Sequence, residues 1–101
     1  MTLEDTKELM CSPSYKDRFK AEYYQLKIRY LKLMNLLTKW DRGELNFTPT
    51  CRRGTYELQL AYMSGYLSVL EDRAELEGII LKEVVIEEVN NEENWERSRI
   101  N

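Results

Sequence analysis

The sequence predicts an all-α protein: an antiparallel pair of long helices with a short N-terminal helix and a short extended C-terminal arm, assembled into an oligomer. Two observations lead to this fold class. The chain of 101 residues contains only two prolines and four glycines, so long stretches are free of helix breakers. Apolar residues also recur at alternating intervals of three and four over two long segments, which is the spacing of a heptad seam.

The first long helix has a start signal, a periodic face and a stop signal. Pro13 interrupts helical geometry before it, and Ser14 followed by Asp17 has the spacing of a capping box. An apolar seam then runs unbroken over Phe19, Tyr23, Leu26, Tyr30, Leu33, Leu37 and Trp40. The helix is therefore predicted over residues 15–41, ending before Gly43.

A second seam with the same spacing predicts the second long helix. Its members are Tyr56, Leu60, Met63, Leu67, Leu70 and Ala74. Gly78 follows as the residue that ends the helix. At ~1.5 Å per residue the two helices are about 39 and 34 Å long, so they match as the arms of a hairpin.

The two ends of the chain are predicted to be smaller additions to this hairpin. Thr2 and Asp5 have the spacing to cap a short helix that reaches about Met10. After Gly78, the β-branched residues of 79–86 favour a short strand or an extended arm. The predicted organisation is an N-terminal flap at 1–13, the hairpin domain at 14–81 and an acidic C-terminal extension at 82–101.

Both helices carry apolar residues away from their seams. A hairpin buries one face of each helix, and two helices of this size are too few for a core that stands alone. The surplus residues are therefore expected to meet other copies of the chain. The predicted homo-oligomer interface contains Tyr24, Ile28, Leu31, Tyr62, Tyr66 and Val69.

Composition argues against catalysis and against cofactors. The chain has no histidine, which removes the commonest general base and the commonest metal ligand. Its two cysteines, Cys11 and Cys51, have no paired spacing and are too few for a structural zinc site, so two reduced thiols are expected. The sequence thus predicts a protein that is not an enzyme and holds no cofactor or metal.

No membrane span is expected either. The longest stretch without a charged residue is the thirteen residues from 58 to 70, whereas a span needs about twenty. The N-terminus also lacks the pattern of a secretory signal. A soluble cytoplasmic protein is expected.

Charge is divided between the two halves of the hairpin. Residues 14–54 carry ten basic and four acidic residues, and residues 55–101 carry four basic and eleven acidic ones. Antiparallel helices of opposite charge attract one another. Nucleic-acid binding needs a basic surface that no partner helix neutralises, so the distribution favours helix pairing over that function.

The connector between the helices is the candidate ligand site. It is about thirteen residues long, more than helical hairpins need, and it combines aromatic rings, hydroxyls and guanidinium groups. Stacking and bidentate donors suit a nucleotide base and its phosphates, and a helix N-terminus nearby favours an anion. The alternative is a solvated turn with Leu45 and Phe47 tucked beneath it. The predicted ligand-binding residues are Trp40, Arg42, Phe47, Thr48, Thr50, Arg52, Arg53 and Tyr56.

Several stretches resemble a family of small prophage proteins of gut Firmicutes, related to a protein first catalogued in crAss-like phages. The resemblance is carried by residues 14–23, by the run Lys39-Trp40-Asp41-Arg42-Gly43-Glu44-Leu45-Asn46-Phe47-Thr48-Pro49-Thr50-Cys51, and by 56–60 and 66–74. It covers residues 14–81. Arg52 departs from the pattern, since proline is expected there in many relatives.

The resemblance implies a phage or prophage origin, and the expected cytoplasmic location is then the host cytoplasm. The architecture is similar to the hairpin domain of viral sponges that sequester cyclic nucleotide signals of the CBASS and Thoeris defences. The leading hypothesis is therefore a counter-defence sponge. The alternatives are a protein-binding inhibitor of a host defence complex, similar to an anti-CRISPR and mimicking nucleic acid through Glu83, Glu87, Glu88, Glu92 and Glu93, or a structural phage adaptor.

Overall fold

The computed structural model describes residues 1–86 of the chain and places them in helices joined by loops. The elements are a 3₁₀ turn at Glu4–Thr6, α1 at Lys7–Met10, α2 at Tyr15–Asp41 and α3 at Arg53–Glu77. No strand occurs among residues 1–86. The all-helical fold class is therefore confirmed.

Helix α2 has the predicted bounds because its local signals act as the sequence indicates. The Ser14 hydroxyl accepts the backbone N–H of Asp17 at 3.5 Å, and the Asp17 carboxylate accepts the Ser12 hydroxyl at 2.8 Å. At the other end Gly43 adopts a φ of 71°, a left-handed conformation that glycine takes without steric cost. The Glu44 N–H then turns back to the Lys39 carbonyl at 2.9 Å, which closes the helix.

Helix α3 packs against α2 in the antiparallel direction. At one end the Tyr15 hydroxyl donates to Glu77 at 2.6 Å, and at the other end Arg53 donates to Asp41 at 2.6 Å. The start of each long helix thus lies beside the end of the other, as the hairpin prediction requires. Gly78 ends α3 with a φ of 70°, in the role the sequence predicts.

The larger of two core clusters lies toward the open end of the hairpin, away from the connector. Tyr24 and Ile28 are 3% and 0% exposed within it, so the structure places them inside a single chain and not on its surface. This differs from their predicted place at an oligomer interface. The reason is that segments outside the hairpin cover the second face of α2. The buried residues of this cluster are Phe19, Tyr23, Tyr24, Ile28, Leu67, Leu70, Ala74, Ile79 and Val84.

The N-terminal segment is one of these covers. Thr2 and Asp5 cap its first turn reciprocally: the Thr2 N–H donates to the Asp5 carboxylate at 2.8 Å and the Asp5 N–H to the Thr2 hydroxyl at 3.3 Å. That backbone hydrogen bond holds the pKa of Asp5 below its usual value. Thr6 is fully buried and accepts a hydrogen bond from Gln25 of α2 at 2.9 Å. The predicted short N-terminal helix is therefore present, and its segment packs against α2.

Residues 79–86 form the other cover. Ile79 and Val84 are buried in the larger cluster, and the Lys82 N–H donates to the Tyr24 hydroxyl at 3.0 Å. Of the predicted alternatives, a short strand or an extended arm, the strand does not form in this segment, because no neighbouring strand lies among residues 1–86 to complete a ladder. Of the acidic residues proposed for nucleic-acid mimicry, Glu83 is exposed. The others lie in residues 87–101, outside the described part of the chain.

The smaller core cluster lies at the connector end of the hairpin. Its buried members are Leu33, Leu36, Leu37 and Tyr56. Half-buried residues of the helices and the connector pack around them: Trp40, Leu45, Phe47, Cys51, Leu60 and Met63. The connector is therefore held against the core by its own apolar side chains.

Candidate functional site

The connector occupies residues 42–52, since α3 begins at Arg53. Leu45, Phe47 and Cys51 are half-buried against the smaller core cluster, and the polar residues between them face outward. The Cys51 N–H donates to the Tyr56 hydroxyl at 3.4 Å. This alternation of inward apolar and outward polar side chains gives the connector an ordered course without regular secondary structure.

Trp40 lies between two other predicted site residues. The Arg53 guanidinium stands over its ring at 5.3 Å from the ring centre, and the Tyr56 ring meets it edge to face at 6.0 Å and 73°. Cation–π and edge-to-face contacts both fix the orientation of an aromatic ring. Trp40 is therefore held in place before any ligand arrives.

Arg53 is bound on three sides. Besides covering Trp40, it donates to Asp41 at 2.6 and 3.2 Å and to Glu57 at 3.1 Å. The Asp41 hydrogen bond raises the pKa of Arg53, and the same contact lowers the pKa of Asp41. Because two carboxylates already use its donors, Arg53 serves first as a brace for Trp40 and the two helix ends.

Tyr56 and Phe47 contribute mainly to the packing of the site. Tyr56 is 2% exposed, so its ring does not reach the surface, which differs from its predicted contact with a ligand. Phe47 is half-buried against the same cluster. The arrangement of Leu45 and Phe47 matches the alternative in which both lie beneath the turn.

Four predicted site residues present polar groups to solvent. Arg42, Thr48, Thr50 and Arg52 are all exposed. Arg52 is also the N-cap residue of α3 and forms no side-chain capping hydrogen bond. Arg52 therefore lies at the first N–H groups of α3, and a guanidinium beside free helix N–H groups suits an anion.

The predicted interface residues separate into two groups. Tyr24, Ile28 and the half-buried Leu31 belong to or pack against the larger core cluster. Tyr62 and Val69 are 71% and 55% exposed on the outer face of α3. Tyr66, also exposed, donates its hydroxyl to Glu22 of α2, and this contact raises the pKa of Tyr66. Packing within a single chain leaves Tyr62, Tyr66 and Val69 exposed. An oligomer interface at these three residues therefore stays a prediction.

A depression that was not predicted from the sequence lies between α1 and α2 and has a volume of about 430 Å³. Its polar residues Arg18, Glu22, Gln25 and Arg29 follow one another at intervals of four, three and four, so they share one face of α2. That spacing was readable in the sequence but is also typical of a solvated helix face. The apolar side of the depression consists of Met10, Ala21 and Leu26.

The carboxylates and thiols of the chain are the remaining groups that could bind a metal ion. Within residues 1–86 no three carboxylate or thiol groups come close enough together to hold a metal ion. Cys11 and Cys51 are both free thiols in the structure. None of the helices described here combines the length and the apolar character that crossing a membrane requires.

Comparison with known proteins places the hairpin in a family. The family model described as Sequestin matches residues 13–76, which span α2, the connector and nearly all of α3. No curated protein and no solved structure matches the chain. The predicted domain bounds of 14–81 and the relation to prophage and crAss-like phage proteins stay predictions.

Proposed function

The chain belongs to the Sequestin family, and we propose from this that it acts by sequestering a small ligand and not by converting it. The name of the family indicates a sequestering or binding protein. In our proposal the ligand is a cyclic nucleotide immune signal, and the protein is a phage or prophage product that traps it in the host cytoplasm. The observation that carries the proposal is that the matched range includes the connector and both helix ends that frame it.

The exposed groups of the connector suit a nucleotide. Arg42 and Arg52 are the phosphate donors, because they are exposed and no described carboxylate is paired with them, whereas Arg53 is held by Asp41 and Glu57. A guanidinium offers two parallel N–H donors that match two phosphate oxygens. The free N–H groups at the start of α3 add further donors to the same anion.

Trp40 is the proposed support for the base. Arg53 stands over this ring, so a base would either displace the guanidinium or stack on its outer face. Guanidinium planes stack on aromatic rings and bases alike. Thr48 and Thr50, both exposed, supply hydroxyls that orient the ligand from the connector.

Sequestration follows from the chemistry that the chain offers. A chain without histidine lacks the usual general base for phosphodiester hydrolysis. Binding by charge-assisted hydrogen bonds leaves the ligand intact and makes its capture stoichiometric. The ligand released by heating should therefore have the same mass as the ligand supplied.

Calorimetry with cyclic dinucleotides, cyclic trinucleotides and cyclic ADP-ribose isomers tests the proposal. A charge-assisted hydrogen bond is worth about 1.5–3 kcal/mol, so the Arg42→Ala, Arg52→Ala double variant should bind about ten- to a hundredfold more weakly per arginine that contacts phosphate. The matched control is Arg18→Ala, Arg29→Ala, which removes two arginines from the depression between α1 and α2. If affinity falls in the control and not in the connector variant, the ligand site is that depression.

Protein-binding inhibition is the rival function. An inhibitor would bind none of these nucleotides and would capture a host defence protein with an affinity that falls as salt is added, if acidic residues mimic phosphates. A chain that binds no nucleotide in the panel contradicts the sponge proposal and leaves this rival in front.

A further inference from the structure

Helix α3 has two heptad seams on opposite faces. The first, predicted from the sequence, packs toward α2 and contains Tyr56, Leu60, Met63, Leu67, Leu70 and Ala74. The second is displaced by two residues along the chain, which turns it by about 200° around the helix. This outer seam consists of Leu58, Tyr62, Gly65, Val69, Asp72 and Leu76, at intervals of four, three, four, three and four.

The outer seam is uncovered in the described part of the chain. Its large apolar side chains are 54%, 71%, 55% and 87% exposed at Leu58, Tyr62, Val69 and Leu76. Apart from the adjacent residues and backbone of α3 itself, no heavy atom lies within 4 Å of the position that a Cβ of Gly65 would occupy. The seam is about 27 Å long, and a continuous exposed apolar row of that length is typical of an interaction surface and not of a solvated face.

We propose that a second copy of the chain covers the outer seam by packing its own α3 against it in the antiparallel direction. When α3 is reversed about Leu67, the outer seam coincides with itself, because each member has a counterpart at the same distance on the other side of Leu67. Leu58 then meets Leu76 of the second copy, Tyr62 meets Asp72, and Gly65 meets Val69. Such a self-matching surface is what a twofold symmetric contact needs.

The pairs across this contact are chemically compatible. Asp72 is the one ionised residue of the seam, and burying an unpaired carboxylate is costly. The opposed Tyr62 brings a phenolic O–H that can donate to it. Gly65, without a side chain, leaves room for the branched Val69 at the centre. The leucine pairs close both ends of the contact.

Charge favours the antiparallel direction over the parallel one. A parallel pair would place Asp72 beside Asp72 and the acidic C-terminal turns of both helices side by side. In the antiparallel pair, the residues on either side of the seam face those of the second copy. Arg73 then lies opposite Gln59 of the second copy and Glu75 opposite its Ala61, so no like charges meet. The basic first turn of each helix also approaches the acidic last turns of the other.

The size of the contact sets the strength of the dimer. Two single helix faces of this length bury less than the ~1,200 Å² at which standard stable interfaces begin. We therefore expect a reversible dimer that dissociates in the micromolar range. The proposal concerns α3 alone and is independent of the connector and of any nucleotide.

Sedimentation of the full chain from about 1 to about 200 µM, a range chosen to bracket a weak interface, tests the assembly. The mass should rise from 12.1 kDa toward twice that value as concentration increases. The Tyr62→Glu, Val69→Glu variant should remain at 12.1 kDa with unchanged helical circular dichroism, because both side chains are exposed. Met34→Glu, an exposed change on α2, is the matched control and should leave the dimer intact.

Disulfide trapping tests the direction, and it stays informative if the charged variant fails to fold. In a Cys11→Ser, Cys51→Ala background, chains with Leu58→Cys should crosslink to chains with Leu76→Cys, and neither variant should crosslink to itself. Crosslinking of Leu58→Cys to itself would overturn the antiparallel register. A wild-type chain that stays at 12.1 kDa at every concentration would overturn the proposal. This holds also if the reason is that residues 87–101 cover the seam.

Discussion

The burial of Ile28 separates a core role from an interface role, and Ile28→Ala tests it. Ile28 is 0% exposed and lies in the larger core cluster beneath residues 79–86 and the N-terminal segment. The substitution removes three carbon atoms. At ~0.8 kcal/mol per buried methylene the loss is about 2.4 kcal/mol, and the remaining cavity brings it to about 3–4 kcal/mol. A domain of this size is stable by about 5–15 kcal/mol.

The measurement is urea denaturation followed by circular dichroism at one fixed protein concentration. Ile80→Ala is the matched control, because it removes the same atoms from a side chain that is 84% exposed. The control should change the free energy of unfolding by less than about 0.5 kcal/mol. Sedimentation of both folded variants should match the wild type.

Two results would refute the reasoning about Ile28. A loss smaller than about 1 kcal/mol would mean that the side chain is not enclosed by its own chain, given the ~2–5 kcal/mol typical of isoleucine-to-alanine changes in cores. A changed assembly state with unchanged stability would return Ile28 to an oligomer interface, as the sequence alone suggested.

Two further predictions follow from the backbone and from titration. Gly78→Ala should destabilise the protein by about 1–2 kcal/mol because the residue has a φ of 70°. Gly54→Ala, in the helical region of α3 with open space at its Cβ, should be neutral or stabilising. Thermal unfolding of the two variants checks this difference. Burial and the hydrogen bond to Glu71 raise the pKa of Tyr23 above its usual value of 10.0, so the folded state holds this proton more tightly than the unfolded state does. The contribution of Tyr23 to stability is fully present below pH 10 and is lost as pH rises above 10. Tyr23→Phe should therefore weaken the fall in stability at alkaline pH, whereas Tyr62→Phe, at an exposed residue, should leave that fall unchanged. Urea midpoints measured between pH 8 and pH 12 would show the difference.

Local signals predicted the helices accurately. Helix caps and stops act through hydrogen bonds and backbone angles within a few residues, as at Ser14, Thr2, Gly43 and Gly78. They can therefore be predicted from local sequence without knowledge of the fold. The inner seam of α3 was predicted in the same way, because heptad spacing can be recognised without knowing which helix packs against it. Of the short strand or extended arm expected after Gly78, the strand did not form, because a strand depends on a neighbour that local sequence does not supply.

The candidate site was predicted in composition and less well in the roles of its residues. The sequence indicated that aromatic rings and arginines gather at the connector, and the structure brings Trp40, Arg53 and Tyr56 together there. It could not indicate that Arg53 is held by Asp41 and Glu57, since those contacts arise only when two helix ends meet. Nor could it separate the enclosed Tyr56 from the exposed Arg52.

The sequence by itself determined that this protein is a pair of long helices with capped ends, because periodicity and capping are properties of short stretches of chain. Tertiary structure decided which apolar residues belong to the core. Tyr24 and Tyr62 are similar in sequence terms, being tyrosines off the predicted seams, yet one is 3% and the other 71% exposed. The physical reason is that the N-terminal segment and residues 79–86 fold back over α2, while no described segment lies over the outer face of α3. Burial depends on which segments meet in space, and helix formation does not.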